Sequence, residues 1–387
     1  MTVDFAPRPV PAYPGRPLFV ANDIYRHSSY GGVHPLAIPR VSATIDLARA
    51  LGWLDDGCYW STAPATKAEI ARFHDPAYIA ALERAEREQA LPEELAERHN
   101  LGRFGNPFFP EMFRRPATSA GAVLTAADVL LASDPAAHGG RVVVYSPPGG
   151  THHARRDRAN GFCYFNDPVL GMLRLLDGGV GRLLYVDFDA HHCDGVEAAF
   201  TGDPRVLMIS VHEARRWPFT GAVGERAGGS ARNLPVPRGF NDSELEAIVD
   251  DVVLPLGRAF APDAVVVQSG ADALAEDPLS RLELSNGALW RAVAAAAGLA
   301  PRVLVVGGGG YNPWSVARAW AGVWGTLNGR HPPARLPDAA EAVLRGLTWQ
   351  RAAGRNPPAH WFTTLADAPR PGPVRDEVRR TIEAVLA

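Results

Sequence analysis

The chain has 387 residues, is 47% hydrophobic and carries a formal net charge of -3. That near-neutral balance argues against a general nucleic-acid or membrane-surface binder, and no apolar run of about 18 residues is present to form a transmembrane helix. Residues 1–17 are proline-rich without an apolar signal core, and three scattered cysteines (Cys58, Cys163, Cys193) are no disulfide framework, so a cytoplasmic setting is expected.

In chain order, the early part predicts helices over 40–51, 67–72, 77–90 and 117–132. Five short runs rich in Val, Leu and Ile then read as buried strands: 141–146, 182–186, 206–211, 264–268 and 303–306. Helical patterns at 168–176, 243–259 and 286–297 lie between them, and the proline-punctuated tail after His331 ends in a helix from Arg375. The alternation predicts an α/β fold, a mostly parallel sheet with helices on both faces. No internal repeat or low-complexity linker interrupts the chain. A single domain over 1–387 is expected, with its motif-bearing core at about 20–330 and a C-terminal extension over 331–387.

Each predicted strand runs into a polar or glycine-shaped loop. The first gives Pro147-Pro148-Gly149-Gly150-Thr151-His152-His153, and the second Asp187-Phe188-Asp189-Ala190-His191-His192-Cys193-Asp194. The third ends at Ser210-Val211-His212, the fourth gives Gln268-Ser269-Gly270-Ala271-Asp272, and the fifth Gly307-Gly308-Gly309-Gly310-Tyr311-Asn312. Open parallel sheets place their sites at this C-terminal edge.

Asp189 and His191, two positions apart on extended backbone, project to one side, and Asp272 from another strand end completes a three-ligand set for a borderline metal such as zinc. A lone Asp-x-His is more often a hydrogen-bonded cluster; the neighbouring loops reverse that reading here. His152 and His153 have the chemistry of a general base and its electrostatic partner, and Asp187 and Asp194 are spare acids able to fix their tautomers. Tyr311, after four glycines, can donate to a developing oxyanion. Phe162 and Trp217 are candidate walls of an apolar approach. Cys163 has no evident base and reads as structural. The glycine run has neither the dinucleotide fingerprint nor a P-loop lysine.

Taken together, Pro147–Ala154, Gly161–Asp167, Asp187–Val196, Ser210–His212, Gln268–Asp272 and Gly307–Asn312 resemble the histone deacetylase family, including bacterial acetoin-utilisation deacetylases and acetylpolyamine amidohydrolases. Arg40 and Phe73-His74-Asp75 match softer N-terminal features. The resemblance spans roughly residues 20 to 330 and implies an arginase-like α/β fold with about eight strands. It implies one Zn²⁺ on Asp189, His191 and Asp272. His153 is then general base and acid, paired with Asp194, and His152 its partner, paired with Asp187. Tyr311 polarises the acyl carbonyl, water attacks without an acyl-enzyme, and Gly161, Phe162, Trp217 and Gly309 line the substrate tunnel. A structural K⁺ near Asp187, Asp189, His191 and Ser210 is also implied. The substrates would be acetyl-lysine side chains or, alternatively, acetylated polyamines and other small acylamides.

Three departures stand out. Cys193 replaces the family's glycine, Phe219 replaces a glycine in Pro218-Phe219-Thr220-Gly221, and 101–107 lacks the rim aspartate of eukaryotic members. A polyamine substrate would need acids near the tunnel mouth to hold its distal ammonium charges, and Glu111, Glu213 and Glu225 lie in suitable loops. Residues 93–115 either close the mouth or mediate a homo-oligomer. The competing classes are a binuclear arginase- or agmatinase-type hydrolase, which would need Asp where Cys193 stands, and a non-catalytic module that kept the fold.

Overall fold

A computed structural model describes residues 8–103 and 105–387; residues 1–7 of the proline-rich start, and Phe104 of the rim stretch, lie outside the described residues. Eight strands form one sheet: β1 (Leu18–Ala21), β2 (Tyr59–Ser61), β3 (Val142–Ser146), β4 (Leu183–Asp187), β5 (Val206–Glu213), β6 (Ala231–Val236), β7 (Ala264–Gln268) and β8 (Arg302–Val306). Their order is β2-β1-β3-β8-β7-β4-β5-β6, and every pairing is parallel. This is the arginase/deacetylase type of α/β fold.

The five strands expected from the sequence are the five adjacent ones β3-β8-β7-β4-β5. They are legible because helices cover both of their faces, so nearly every position is apolar. Val143 and Tyr145 face one core while Val142 and Val144 face the other; Leu184 and Val186 alternate with Leu183 and Tyr185 in the same way. One core is closed by helices Arg40–Ala50, Asn286–Ala297 and Pro313–Leu327, the other by Arg114–Ala132 and Asp167–Asp177. Leu336, Leu344, Trp361, Val378 and Ile382 of the C-terminal segment bury into the first core.

Register matters more for the site than composition does. Ser146 is level with Val306, Val306 with Gln268, Gln268 with Asp187 and Asp187 with Ser210. Five strands thus end in one row, and their loops emerge side by side.

Two departures from the expected helices have clear causes. The 243–259 pattern is split into Asp242–Ile248, a π-turn at Val249–Val253 and Leu254–Phe260. Pro255 lacks the N–H that a regular helix needs there, and the turn before it widens. Helix Pro313–Leu327 was not expected at all. It is capped by Asn312, whose side chain accepts from Trp314 N and Ser315 N, and it is buried on all sides from Pro313 to Gly325, so no amphipathic stripe marks it. Trp320, fully buried in this helix, donates Nε1–H to Ser269 O at 2.9 Å and so ties the core to a site loop. Trp320→Ala is expected to lower stability by about 3–5 kcal/mol, read as a fall in the urea midpoint.

Candidate active site

The β4 loop bends straight after Asp187, and its own carboxylates hold the bend. Asp189 N donates to Asp187 Oδ1 (2.9 Å) and His191 N to Asp189 Oδ1 (3.0 Å). Ala190 N reaches across to Asp272 Oδ1 at 2.9 Å, joining this loop to the one after β7. Asp189, His191 and Asp272 come together, fully or nearly fully buried, with one donor atom from each inside a sphere where all pairs are within 4.8 Å. His191 Nδ1 lies 2.8 Å from Asp272 Oδ2 and 3.3 Å from Asp189 Oδ1.

Two buried carboxylates this close demand a cation. Burial, and then the charge of Asp189, pushes Asp272 up to about 6. Asp189 is lowered despite its burial, chiefly by the charge of His152 and its bond to His191. Burial disfavours a charged His191, yet its bonds to Asp189 and Asp272 outweigh that and raise it to about 10. The donor set, two oxygens and one nitrogen with room for further ligands, fits a borderline divalent ion. Gly309 is required where it stands: a Cβ there would lie 2.1 Å from Asp272 Oδ2 and 3.0 Å from Asp189 Oδ2.

His152 and His153 arrive from the β3 loop. His152 Nδ1 donates to Asp187 Oδ2 (2.8 Å) and His153 Nδ1 to Asp194 Oδ1 (2.7 Å). Both Nδ1 edges being engaged, the two Nε2 atoms turn inward, 2.9 Å apart. Burial lowers both imidazoles, but for His152 the charges of Asp187 and Asp189 prevail and raise it to about 9. His153, burdened by burial and then by charged His152, falls to about 3. One imidazole of the pair holds a proton and the other is free to accept one.

Tyr311 is buried beside this cluster, its ring 5.9 Å from Phe162 and its N–H donating to Asp277 Oδ2 at 2.7 Å. Burial, then Asp272 and Asp189, hold its phenol well above the usual range, so it stays a donor. Phe162 and Trp217 both line the approach, a cleft of about 610 Å³ that reaches His153, His191 and Tyr311. Trp217 packs edge-on against His153, 4.6 Å between ring centroids. Gly161 (φ +53) sits beneath it, where a Cβ would be 2.2 Å from the indole. Asn100, Arg103 and Asn106 also line the cleft, so residues of the 93–115 segment do form part of the mouth.

Several positioning residues went unassigned in the sequence reading. Asp167 accepts from Gly150 N (2.7 Å), Ser119 Oγ (2.8 Å) and Thr151 Oγ1, and Asn166 Nδ2 grips His152 O (3.1 Å) and Ala154 O (3.0 Å). Together they fix the histidine loop. Arg155 binds Asp194 through both main-chain and side-chain oxygens, and Tyr185 Oη donates to Asp187 Oδ2 at 2.7 Å. The softer N-terminal matches find their place as well. Arg40 donates to Gly308 O at 2.7 Å while stacking on Trp320, and His74 Nε2 accepts from Asn166 N at 2.9 Å. Of the residues left without a role, His192 bridges Thr220 and Glu197, and Cys163 is buried with its thiol pushed up by that burial.

The acids suggested for a polyamine do not line the cleft. Glu213 is buried and chelated by Arg216, and Glu225 accepts Gly221 N at 2.8 Å. Among the described residues no helix is long and apolar enough to cross a membrane, and the three cysteines are free and buried.

A parallel eight-stranded sheet with this loop row is the arginase/deacetylase type of α/β fold, with its site at the strand ends. Comparison with known proteins then identifies the family. The histone deacetylase domain model matches residues 34–327. The chain is 31% identical to the acetoin utilization protein AcuC of Bacillus subtilis over 373 residues, covering 93% of each. It is 33% identical to histone deacetylase 8 of Xenopus tropicalis, covering 77% of this chain and 80% of that one. The crystal structure of a histone deacetylase homologue from Aquifex aeolicus superposes with a TM-score of 0.89 at 34% identity, covering 96% of this chain and all of the other. The chain belongs to the histone deacetylase family and is a deacetylase-type hydrolase.

Proposed function

We propose that the protein removes acetyl or other short acyl groups from acylated amines, with N6-acetyl-lysine in polypeptides as the main substrate class. The observation that carries this is the facing of two constellations at one strand-end row: the Asp189–His191–Asp272 cluster and the carboxylate-braced His152–His153 pair. One Zn²⁺ per chain, held by Asp189, His191 and Asp272, would supply Lewis-acid activation of the carbonyl and of water. His153, neutral at Nε2, takes the proton of the attacking water, while Asp194 holds Nδ1–H and stabilises the imidazolium that forms. His152, protonated and bound to Asp187, keeps positive charge beside the developing negative charge. Tyr311 Oη donates to the former carbonyl oxygen. The His153 imidazolium then returns its proton to the leaving amine nitrogen.

A binuclear ureohydrolase centre would need further carboxylates. Among the described residues the three-residue group is the one cluster of metal-ligating side chains, and Cys193, in the decisive position, is buried with its thiol raised by burial. Ser210 Oγ is engaged with His212 Nδ1 at 2.9 Å, and the proposed chemistry uses no K⁺ there. The domain is taken as the whole chain, acting in the cytoplasm.

Hydrolysis of a fluorogenic acetyl-lysine peptide, with and without chelator, tests the reading; chelator-resistant turnover would overturn it. Tyr311→Phe should lower kcat about a hundredfold to a thousandfold with KM little changed, as loss of one oxyanion donor does elsewhere. Wild-type turnover in that variant would remove Tyr311 from the mechanism.

A further inference from the structure

The cleft that leads to His153 and Tyr311 has no carboxylate among its described lining residues, whereas Arg103, Arg215 and Arg216 all border it. Two of these guanidiniums are neutralised internally. Arg103 Nη2 donates to Glu97 Oε1 at 2.9 Å, and Arg216 is chelated by Glu213. Arg215 is exposed and has no carboxylate partner among the described residues. It is held at φ 59, a left-handed backbone that a long side chain seldom adopts, and Phe219, 74% exposed, is held at φ 64 four residues later. Non-glycine residues in this conformation persist where the surrounding structure imposes it, often at ligand-binding loops.

A second cleft of about 690 Å³ shares Arg215 and Arg216 with the first and adds Arg238, Arg281 and Arg375. Here too the acids are largely spent. Glu213 serves Arg216, and Arg375 is tied to Glu244 by two contacts of 2.6 Å. Arg215, Arg238 and Arg281 remain, against Glu377 in the lining and Glu283 close by, both of which also act on Arg375. In a chain of net charge -3, this is a local excess of positive charge that runs from the catalytic mouth outward.

We infer that this surface binds an acidic segment of polypeptide around the acylated lysine, with Arg215 as a specificity-determining residue at the rim. The inference rests on the amide-hydrolase reading above and specifies its substrate class. Carboxylates on the substrate would meet guanidiniums that have no carboxylate partner among the described residues, giving charge-assisted bonds. The distal ammonium groups of an acetylated polyamine would instead meet like charge at Arg215 and along the second cleft. Because the two clefts share lining residues, the surface continues beyond the reach of one lysine side chain, which suits a segment of chain rather than a small amine. Trp217 and Phe219, exposed on the first cleft, offer apolar contact to the residues flanking the lysine.

The test compares kcat/KM of the zinc-loaded enzyme on three acetyl-lysine peptides that differ only in flanking residues, Asp/Glu, Gln or Lys, beside N-acetylspermidine. The acidic peptide should lead the basic one by about tenfold or more at low salt, mainly through KM, and the gap should shrink as salt rises. Arg215→Glu, and independently Arg238→Glu, should bring the acidic-to-basic ratio to about one or below it. Equal rates on the three peptides, a preference for N-acetylspermidine, or a ratio unmoved in both variants would overturn the inference. Hydrolysis of the Gln peptide with a flat order sinks only the substrate class; failure to hydrolyse any peptide or amine sinks the amide-hydrolase reading and this inference with it.

Discussion

Asp272→Asn is expected to abolish turnover and metal retention together while leaving the fold intact. The asparagine oxygen can still accept the Ala190 N–H that Asp272 Oδ1 accepts now, so the junction between the β4 and β7 loops survives. What is lost is one of two buried negative charges. In the wild type those charges face each other with only His191 between them, and burial together with Asp189 already pushes Asp272 upward. A divalent ion resolves that conflict, so its binding energy is linked to stability: the holo form should melt higher than the chelated form by an amount that grows as RT ln(1 + [L]/Kd). In Asp272→Asn the conflict is absent and the site is one ligand short. Metal per chain by elemental analysis should fall well below one, peptide hydrolysis should drop to background, and the melting temperature should no longer respond to chelator. A variant that keeps stoichiometric metal and turnover would exclude Asp272 as a ligand.

The same contrast explains what could be read from the sequence. The central strands and their loops were legible because burial on both faces forces continuous apolar runs, and because the reactive residues sit immediately after those runs. β1, β2 and β6 were not. β1 has only four residues, β2 reads Tyr-Trp-Ser with partial exposure, and β6 carries Arg232, Asn233 and Pro235 at the sheet edge, where polar side chains and a missing N–H are tolerated. Helix Pro313–Leu327 hid for the opposite reason, being buried on every side, so that no polar face marks its period. Within the site, Asp189, His191 and Asp272 could be grouped from strand-end logic alone. Asp277 holding the Tyr311 main chain, Asp167 holding the histidine loop and Arg155 clamping Asp194 could not, since each acts through a neighbour that only the fold supplies. The mouth shows the limit most plainly. Glu213 and Glu225 looked available in sequence, but the fold uses both internally and leaves arginines at the rim.

His153→Ala should be the most damaging change that spares the metal. Asp194 would lose its imidazole partner but keep Arg155, which contacts its carboxylate and its carbonyl, and Asn160 Nδ2 at 3.3 Å. The buried acid therefore stays compensated, and the variant is expected to fold and to bind one metal ion. Its kcat should fall by about a hundredfold to ten-thousandfold, the range for loss of a general base, with peptide KM little altered. The pH profile gives an independent check on the same residue. Burial, and next the charge on His152, pull His153 down to about 3, and a bound cation nearby acts in the same direction. A lowered imidazole stays neutral, and so remains able to accept a proton, as pH falls through its ordinary value near 6.5. The acid limb of kcat/KM in the wild type should consequently lie well below 6.5, and His153→Ala should flatten it. A limb centred at 6.5 or above would mean that another group, with a different environment, takes the proton.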